Sequence, residues 1–322
     1  MLSLGFLPDR QVAYGLGPWP SRRQAKLFLT DLQRTRIWVS TASYTSLLSD
    51  KVRFAELVSG FASTPKLLAV IQSGRLFPTS ADVPTADADG LVAAARIHDG
   101  LVLKPRQGAG GHGVFLLVPS DEHLRLDREL VQPAVLGERI RRLDSYIVTP
   151  RVRQAQYAAT LFSQTTNVVR VLTMVDPVNG EAFVAMAGQK IGTEASFPVD
   201  NPARGGLYSI IDLESGRLAA AVKKDGSRFE KHPDSGAQIA GVTIPRWREL
   251  LDSVKRLAQQ LDFIEYIGWD VVVTEGGFSV IEGNRNPDFL PCPLLADARV
   301  RAFYRHYISL RKGRASRKDR HG

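Results

Sequence analysis

Apolar residues recur along the chain at two spacings, helical near both ends and strand-like through the middle. Between residues 20 and 60, Leu27, Phe28 and Leu32 and then Phe54, Leu57 and Val58 fall at helical spacings. A Pro, Gly and Asp cluster follows, Phe77-Pro78-Thr79-Ser80 and then Pro84 to Gly90, and reads as a domain boundary or mobile linker. Leu101 to Lys104 and Val114 to Val118 are short apolar runs either side of a glycine-rich loop, which predicts a hairpin. Leu130-Val131-Gln132 reads as a further strand and Glu138 to Leu143 as the start of a helix. From Val168 the chain alternates strands and turns: Val168 to Val175, Ala182 to Met186, and Leu207 to Leu213. Trp247 to Leu261 carries the stripe Leu250, Leu251, Val254, Leu257, Ala258, Leu261 of one helix. A hairpin of Tyr266 to Thr274 with Phe278 to Ile281 comes next, and Val300, Phe303, Tyr307 and Leu310 stripe a last helix. No repeat is present, which argues against solenoids and propellers.

Composition narrows this picture. With 322 residues, 44% hydrophobic and 23% charged, the chain is globular in kind. No run of about 18 apolar residues exists to cross a membrane. The single cysteine, Cys292, makes neither an internal disulfide nor a cysteine zinc cluster, and the start MLSLGFLPDR lacks the pattern of a signal peptide. A cytoplasmic protein is expected. The net charge of +9 is concentrated in the tail, where Arg311, Lys312, Arg314, Arg317, Lys318 and Arg320 face only Asp319. That tail reads as a solvated, disordered end rather than a nucleic-acid or membrane arm.

Two stretches carry chemistry. Gly108-Ala109-Gly110-Gly111-His112-Gly113 fits G-x-G-x-x-G, but a dinucleotide loop must open a helix, and Val114 to Val118 is a branched apolar strand. No Gly-Lys-Ser/Thr follows either, which excludes a Walker loop. The loop is then either a backbone cradle for phosphates, with Lys104 on its incoming strand, or a flexible surface hairpin. The second stretch is Gly268-Trp269-Asp270 with Ile281-Glu282-Gly283-Asn284. A three-residue turn at Glu275-Gly276-Gly277 pairs Thr274 with Phe278 and sets Asp270 opposite Glu282, with Asn284 on the same face. Like charges so placed repel. Either these hard oxygen donors hold Mg²⁺, or the acidic ends of the hairpin face water.

Taken together, VLKPRQGAGGHGVFLL, NVVRVLTMV, VDNPARGGLYSIIDLESG, HPDSG and YIGWDVVVTEGGFSVIEGN resemble the ATP-grasp superfamily, and within it the sugar-transfer-associated branch related to bacterial glutamate-adding ligases. The resemblance covers about residues 45 to 290. It implies an α+β fold of two lobes holding ATP between them, with a short, mainly helical N-terminal segment. The expected layout is a helical region over residues 1–90, a small lobe over 91–135, a large lobe over 136–310 and the basic tail over 311–322. The resemblance also implies ATP and Mg²⁺, and a carboxylate activated as an acyl phosphate before attack by an amine acceptor. Carried over by motif, Lys104 contacts the nucleotide phosphates and Gly108, Gly110, Gly111 and Gly113 cover them. Gln132 lies near adenine and Glu138 near ribose, Arg170 and Lys190 neutralise the transferring phosphoryl group, and Asp270, Glu282 and Asn284 hold Mg²⁺. Asn201, Gly205 and Gly206 resemble a ligase signature, or are a turn. His232 is either an acid/base group or a turn residue. The rivals are a small-molecule kinase on the same fold and a non-catalytic nucleotide-binding or nucleic-acid-associated module. The small-molecule or peptide acid, the amine and the oligomeric state are not fixed by the sequence.

Overall fold

The computed structural model describes residues 16, 22–30, 32–33, 44–108, 110–120, 123–287 and 293–306. Cys292, Tyr307, Leu310 and the basic tail lie outside the described residues. Among the described residues the N-terminal part holds three short helices, α1 (Arg22–Ala25), α2 (Thr45–Ser49) and α3 (Lys51–Val58). Leu27 and Phe28, expected on a helix, fall in a turn past α1. Asp50 separates α2 from α3: its backbone is extended, and its carboxylate accepts the N–H groups of Val52 and Arg53 as the cap of α3.

The first sheet contains β1 (Ala69–Gln72), β2 (Arg75–Pro78), β3 (Leu101–Pro105), β4 (Phe115–Ser120), β5 (His123–Leu126), β6 (Glu129–Val131) and β7 (Tyr146–Pro150), in the order β2-β1-β7-β3-β4-β5-β6. Helices α4 (Ala88–His98) and α5 (Pro133–Arg141) cover it, with Leu91, Ala94, Leu136 and Ile140 packed on Leu101, Leu103, Leu117 and Val148. This corrects the expected layout. Strands from residues 69–78 and 146–150 belong to the small lobe, whose sheet therefore runs past both expected boundaries, 91 and 135. The supposed linker is internal to that lobe. Phe77 and Pro78 lie in β2, and Asp87 caps α4 by accepting the Gly90 N–H at 3.1 Å. Polar and Gly-rich residues there serve a strand-to-helix turn, not a boundary.

After the short helix α6 (Gln156–Leu161), a second sheet contains β8 (Val169–Val175), β9 (Ala182–Ile191), β10 (Leu207–Ile211), β11 (Ala221–Val222), β12 (Arg228–Phe229), β13 (Tyr266–Thr274) and β14 (Gly277–Asn284). Its order is β12-β11-β10-β9-β8-β13-β14. The amphipathic helix α7 (Trp247–Gln260) sets Leu250, Val254, Leu257 and Ala258 against Val169, Val171, Val271 and Val273 on one face. On the other face Leu172 and Met174 pack under Leu16, Leu29, Leu294, Val300 and Phe303, the last two on the helix over residues 298–306. Both faces of β8 are thus covered, which is why it reads as continuously apolar. Arg170 interrupts that run where the second face is left for another use.

Asp270 stands opposite Glu282, as the sequence predicts, but by a different route. The turn has two residues, Glu275 and Gly276, and Thr274 pairs with Gly277, not Phe278. On that register Asp270 would oppose Ile281 and the two acids would point to opposite faces. A β-bulge beyond Val271↔Val280 inserts Ile281 and restores Asp270↔Glu282 and Gly268↔Asn284.

Asn167, buried just before β8, ties this sheet to its loops. Its amide donates to the carbonyls of Phe162 at 2.7 Å and Ala158 at 2.9 Å, and its oxygen accepts the Gly192 N–H at 2.9 Å and the Thr165 hydroxyl at 2.8 Å. Asn167→Ala strands several of these groups without partners. It should lower the unfolding free energy by on the order of 3 kcal/mol in urea titration; a loss within error of zero would show that these bonds are replaceable.

Candidate functional site

Residues from both lobes line a cleft between the sheets. Its floor is the second sheet's polar end, where the registers put Gly188, Arg170, Asp270 and Glu282 side by side across β9, β8, β13 and β14. Arg170 donates to both oxygens of Asp270, from Nε to Oδ1 and from Nη2 to Oδ2 at 2.9 Å. Lys190 Nζ adds a third bond to Oδ2 at 3.0 Å. Burial alone would raise the Asp270 carboxyl, but the two cations hold it far below the usual carboxylate range. Burial likewise opposes the charge on Arg170, and Asp270 more than restores it. Glycines make the room. A Cβ at Gly268 would sit 2.3 Å from Pro287 and 3.3 Å from the Arg170 side chain, and one at Gly188 would sit 2.1 Å from the Tyr208 hydroxyl.

Glu282 and Asn284 extend the acidic edge, with Asn284 Nδ2 3.4 Å from Glu282 Oε1 and 3.5 Å from Asp270 Oδ2. Among the described residues no group of three His, Cys, Asp or Glu side chains is placed to hold a metal. A cation here would take oxygen from two carboxylates and, once the Asn284 amide turns its oxygen rather than Nδ2 toward them, from Asn284, and the rest from water or a ligand. That hard, incomplete donor set fits Mg²⁺.

The opposite wall belongs to the small lobe. Lys104 is buried on β3, and burial lowers its pKa to about 8, with Glu282 and Asp270 acting upward and Lys51 downward. The glycine loop is the tip of the β3–β4 hairpin, with Leu103 paired to Phe115. Gly108, Gly110 and Gly111 line the cleft, all at positive φ. Gly113 does not line it. A Cβ there would sit 2.5 Å from the Tyr146 hydroxyl, so this glycine closes the hairpin onto β7. Arg204 Nη1 reaches across from the large lobe to the Gly111 carbonyl at 2.9 Å.

Gln132 and Glu138 are not brought to the cleft: Gln132 precedes α5 and Glu138 lies on it, both away from the lining. Two short apolar strands precede helices here, β6 and β7, and β7 is the one that continues into the second sheet's lobe. Thr149, Pro150 and Val152 of that crossing line the cleft instead. His232 is a buried clamp. Its Nε2 donates to the Gly192 carbonyl at 2.7 Å, its Nδ1 accepts the N–H groups of Asp234 and Ser235 at 3.2 Å, and its ring stacks on Phe162. Burial lowers its pKa, in keeping with a neutral ring.

Sequence reasoning did not single out Lys51 or Asp200. Lys51 opens α3, 3.2 Å from the Gly108 carbonyl and 4.0 Å from Glu282 Oε2. The signal was the Asp50-Lys51 pair, an N-cap acid followed by a cation. Arg106 Nε holds Asp50 at 2.8 and 3.0 Å, so the cap also anchors the base of the glycine loop.

No curated protein matches the chain. Among solved structures, the ADP complex of purK, N5-carboxyaminoimidazole ribonucleotide synthetase, is 12% identical at a TM-score of 0.46, aligned over 85% of this chain and 58% of that one. D-alanyl-alanine synthetase A from Vibrio cholerae is 11% identical at 0.44, over 78% and 58%. The D-alanine–D-alanine ligase from Bacillus anthracis complexed with ATP is 12% identical at 0.42, over 84% and 70%. The chain thus spans little more than half of the first two. The family model for sugar-transfer associated ATP-grasp matches residues 38–303, from before α2 through both sheets to the final helix. With two α+β lobes, a glycine hairpin and the paired acids all inside that match, the chain belongs to the sugar-transfer associated ATP-grasp family.

Proposed function

We propose that the protein is an ATP- and Mg²⁺-dependent carboxylate–amine ligase that activates an acid as its acyl phosphate, forms an amide and releases ADP and phosphate. One observation carries this reading: the floor of the cleft holds Arg170 and Lys190 on one buried carboxylate beside Glu282 and Asn284, beneath a glycine hairpin. Phosphoryl transfer needs positioning and dispersed positive charge more than a covalent catalyst. Lys104 and Lys51 bind the nucleotide phosphates from the small-lobe side, and backbone N–H groups of Gly108, Gly110 and Gly111 approach them without side chains in the way. Arg170 and Lys190, fixed by Asp270, face the phosphoryl group as it passes to the acid. Bound through Asp270, Glu282 and Asn284, Mg²⁺ would neutralise phosphate charge. Thr149 and Val152 make the polar and apolar edges of a base site.

The test is a panel of amino acids, sugar acids and dicarboxylates assayed for ADP release with hydroxylamine as acceptor. Hydroxamate formed with ADP supports the ligase. ADP release with a phosphorylated alcohol and no hydroxamate would instead identify a kinase.

The two acids should separate in their variants. Glu282→Gln, at a partly exposed site with only a distant cation, should keep the parental melting temperature yet lose turnover by roughly 10² to 10³-fold. Asp270→Asn should lose turnover and also about 3–5 kcal/mol of stability, because Arg170 and Lys190 keep their charges without the carboxylate. Equal melting temperatures for the two variants would argue against Asp270 as the partner of both cations.

Lys104 gives a proton signature. Its pKa lies near 8 against an ordinary 10.5, so its buried charge costs stability below about pH 8, and the cost fades as pH rises from there toward 10.5. Polyphosphate favours the charged form. ATP binding at about pH 8.5 should therefore take up protons, measured by calorimetry in buffers of different ionisation enthalpy, and Lys104→Met should abolish the uptake. Uptake unchanged in the variant would remove Lys104 from the phosphate site.

A further inference from the structure

Three carboxylates line the cleft among the described residues, and Asp200 is the one outside the donor set of Asp270 and Glu282. It follows β9 in the loop over residues 192–206 and is only 8% exposed. Its Oδ2 accepts the Val168 N–H at 2.8 Å, which fixes the carboxylate at the entry to β8, two residues before Arg170. Its Oδ1 makes no hydrogen bond among the described residues and stands 3.9 Å from Lys190 Nζ, whose own hydrogen bond goes to Asp270 at 3.0 Å. The glycine hairpin lies over the same loop. A Cβ at Gly111 would sit 2.9 Å from Val199, and one at Gly110 would sit 3.8 Å from Asn201 Nδ2.

A pocket for polyphosphate gathers cations, and a buried carboxylate at its edge repels phosphate oxygens. The same carboxylate attracts an ammonium and is fixed close to the cations that face the transferring group. We propose that Asp200 binds the protonated amine of the acceptor and takes its first proton, which frees the nitrogen lone pair to attack the acyl phosphate. This assignment rests on the ligase reading above and deepens it: the acceptor is a cationic primary amine. The nitrogen lone pair forms the C–N bond, and the C–O bond to phosphorus breaks with its electrons passing to phosphate. The ammonium gives up two protons, the first to Asp200 and the second to the departing phosphate, which leaves as HPO₄²⁻. Burial raises the Asp200 carboxyl above its ordinary value, against Lys190 and the Val168 N–H, and so favours proton acceptance nearer neutrality.

Asp200→Asn keeps an oxygen for the Val168 N–H and removes the charge. With the carboxylate that gives most hydroxamate, parent and variant are compared using hydroxylamine, uncharged at neutral pH, and using ammonium chloride, glycine and lysine as cationic acceptors. The variant should form hydroxamate at nearly the parental rate and bind ATP equally well in calorimetry. Its amide formation from the cationic amines should fall by about 10²-fold or more. A parallel fall in hydroxamate and amide, as general damage or misfolding would give, overturns the assignment, as does no fall in either. A parent that makes hydroxamate but no amide with any of these amines overturns it too. A parent that makes no hydroxamate with any acid instead sinks the ligase reading, and the role of Asp200 with it.

Discussion

Asp270 is the constraint around which the cleft is arranged. A carboxylate this deeply buried is tolerable only with its charge matched and its oxygens hydrogen-bonded, and Arg170 and Lys190 meet both conditions from two neighbouring elements of the same sheet. The dependence runs the other way as well. Arg170 is itself only 7% exposed, and a guanidinium so buried without an acid would be costly. Gly268 answers in part to the same need, since a Cβ there would sit 3.3 Å from the Arg170 side chain. What the interaction yields is two cations held at the floor of the cleft, Arg170 by two bonds and Lys190 by one, and charge placed in advance does not have to reorganise when a reaction develops charge beside it.

The small lobe meets this floor through an element outside its own sheet. Asp50 caps α3 and grips Arg106 at the base of the glycine hairpin, while the next residue, Lys51, reaches the Gly108 carbonyl and approaches Glu282. Phe54, one turn on, packs beside Trp269 and occupies the space a side chain at Gly283 would need. The N-terminal helix therefore touches the hairpin above the cleft and the strand pair below it. It belongs to the site as much as either sheet does, and a reading that treats it as a separate helical region misses that coupling.

How much was legible in the sequence depended on whether the signal was local. The glycine hairpin was, because a loop followed by branched apolar residues cannot open a helix. Arg170 stood out as one charge in an apolar run. The facing of Asp270 and Glu282 was reached through a three-residue turn that does not exist; the bulge at Ile281 supplied the missing residue, and a bulge leaves little trace in an alternating pattern. Gln132 failed for a different reason. Strands β6 and β7 look alike in composition, and their places in the sheet, at its edge and between β1 and β3, are set by long-range pairing that no window of residues contains. Asp200 was invisible in the same way, since only the fold shows it buried and turned toward Lys190.

The charge pattern of the cleft also bears on order of events. Lys190 lies between two acids, bonded to Asp270 and 3.9 Å from Asp200, and Lys51 lies 4.0 Å from Glu282. On the ligase reading proposed above, phosphate oxygens brought beneath the glycine hairpin would compete with those acids for the same lysines, and each lysine has three donors to divide. Arg170 has less freedom, because its bidentate grip on Asp270 fixes the guanidinium plane. On that reading the lysines are suited to follow a phosphate that moves, and the arginine to mark where it must arrive. Separation of those tasks follows from side-chain chemistry alone: a flexible ammonium tracks charge, and a clamped planar fork defines a position.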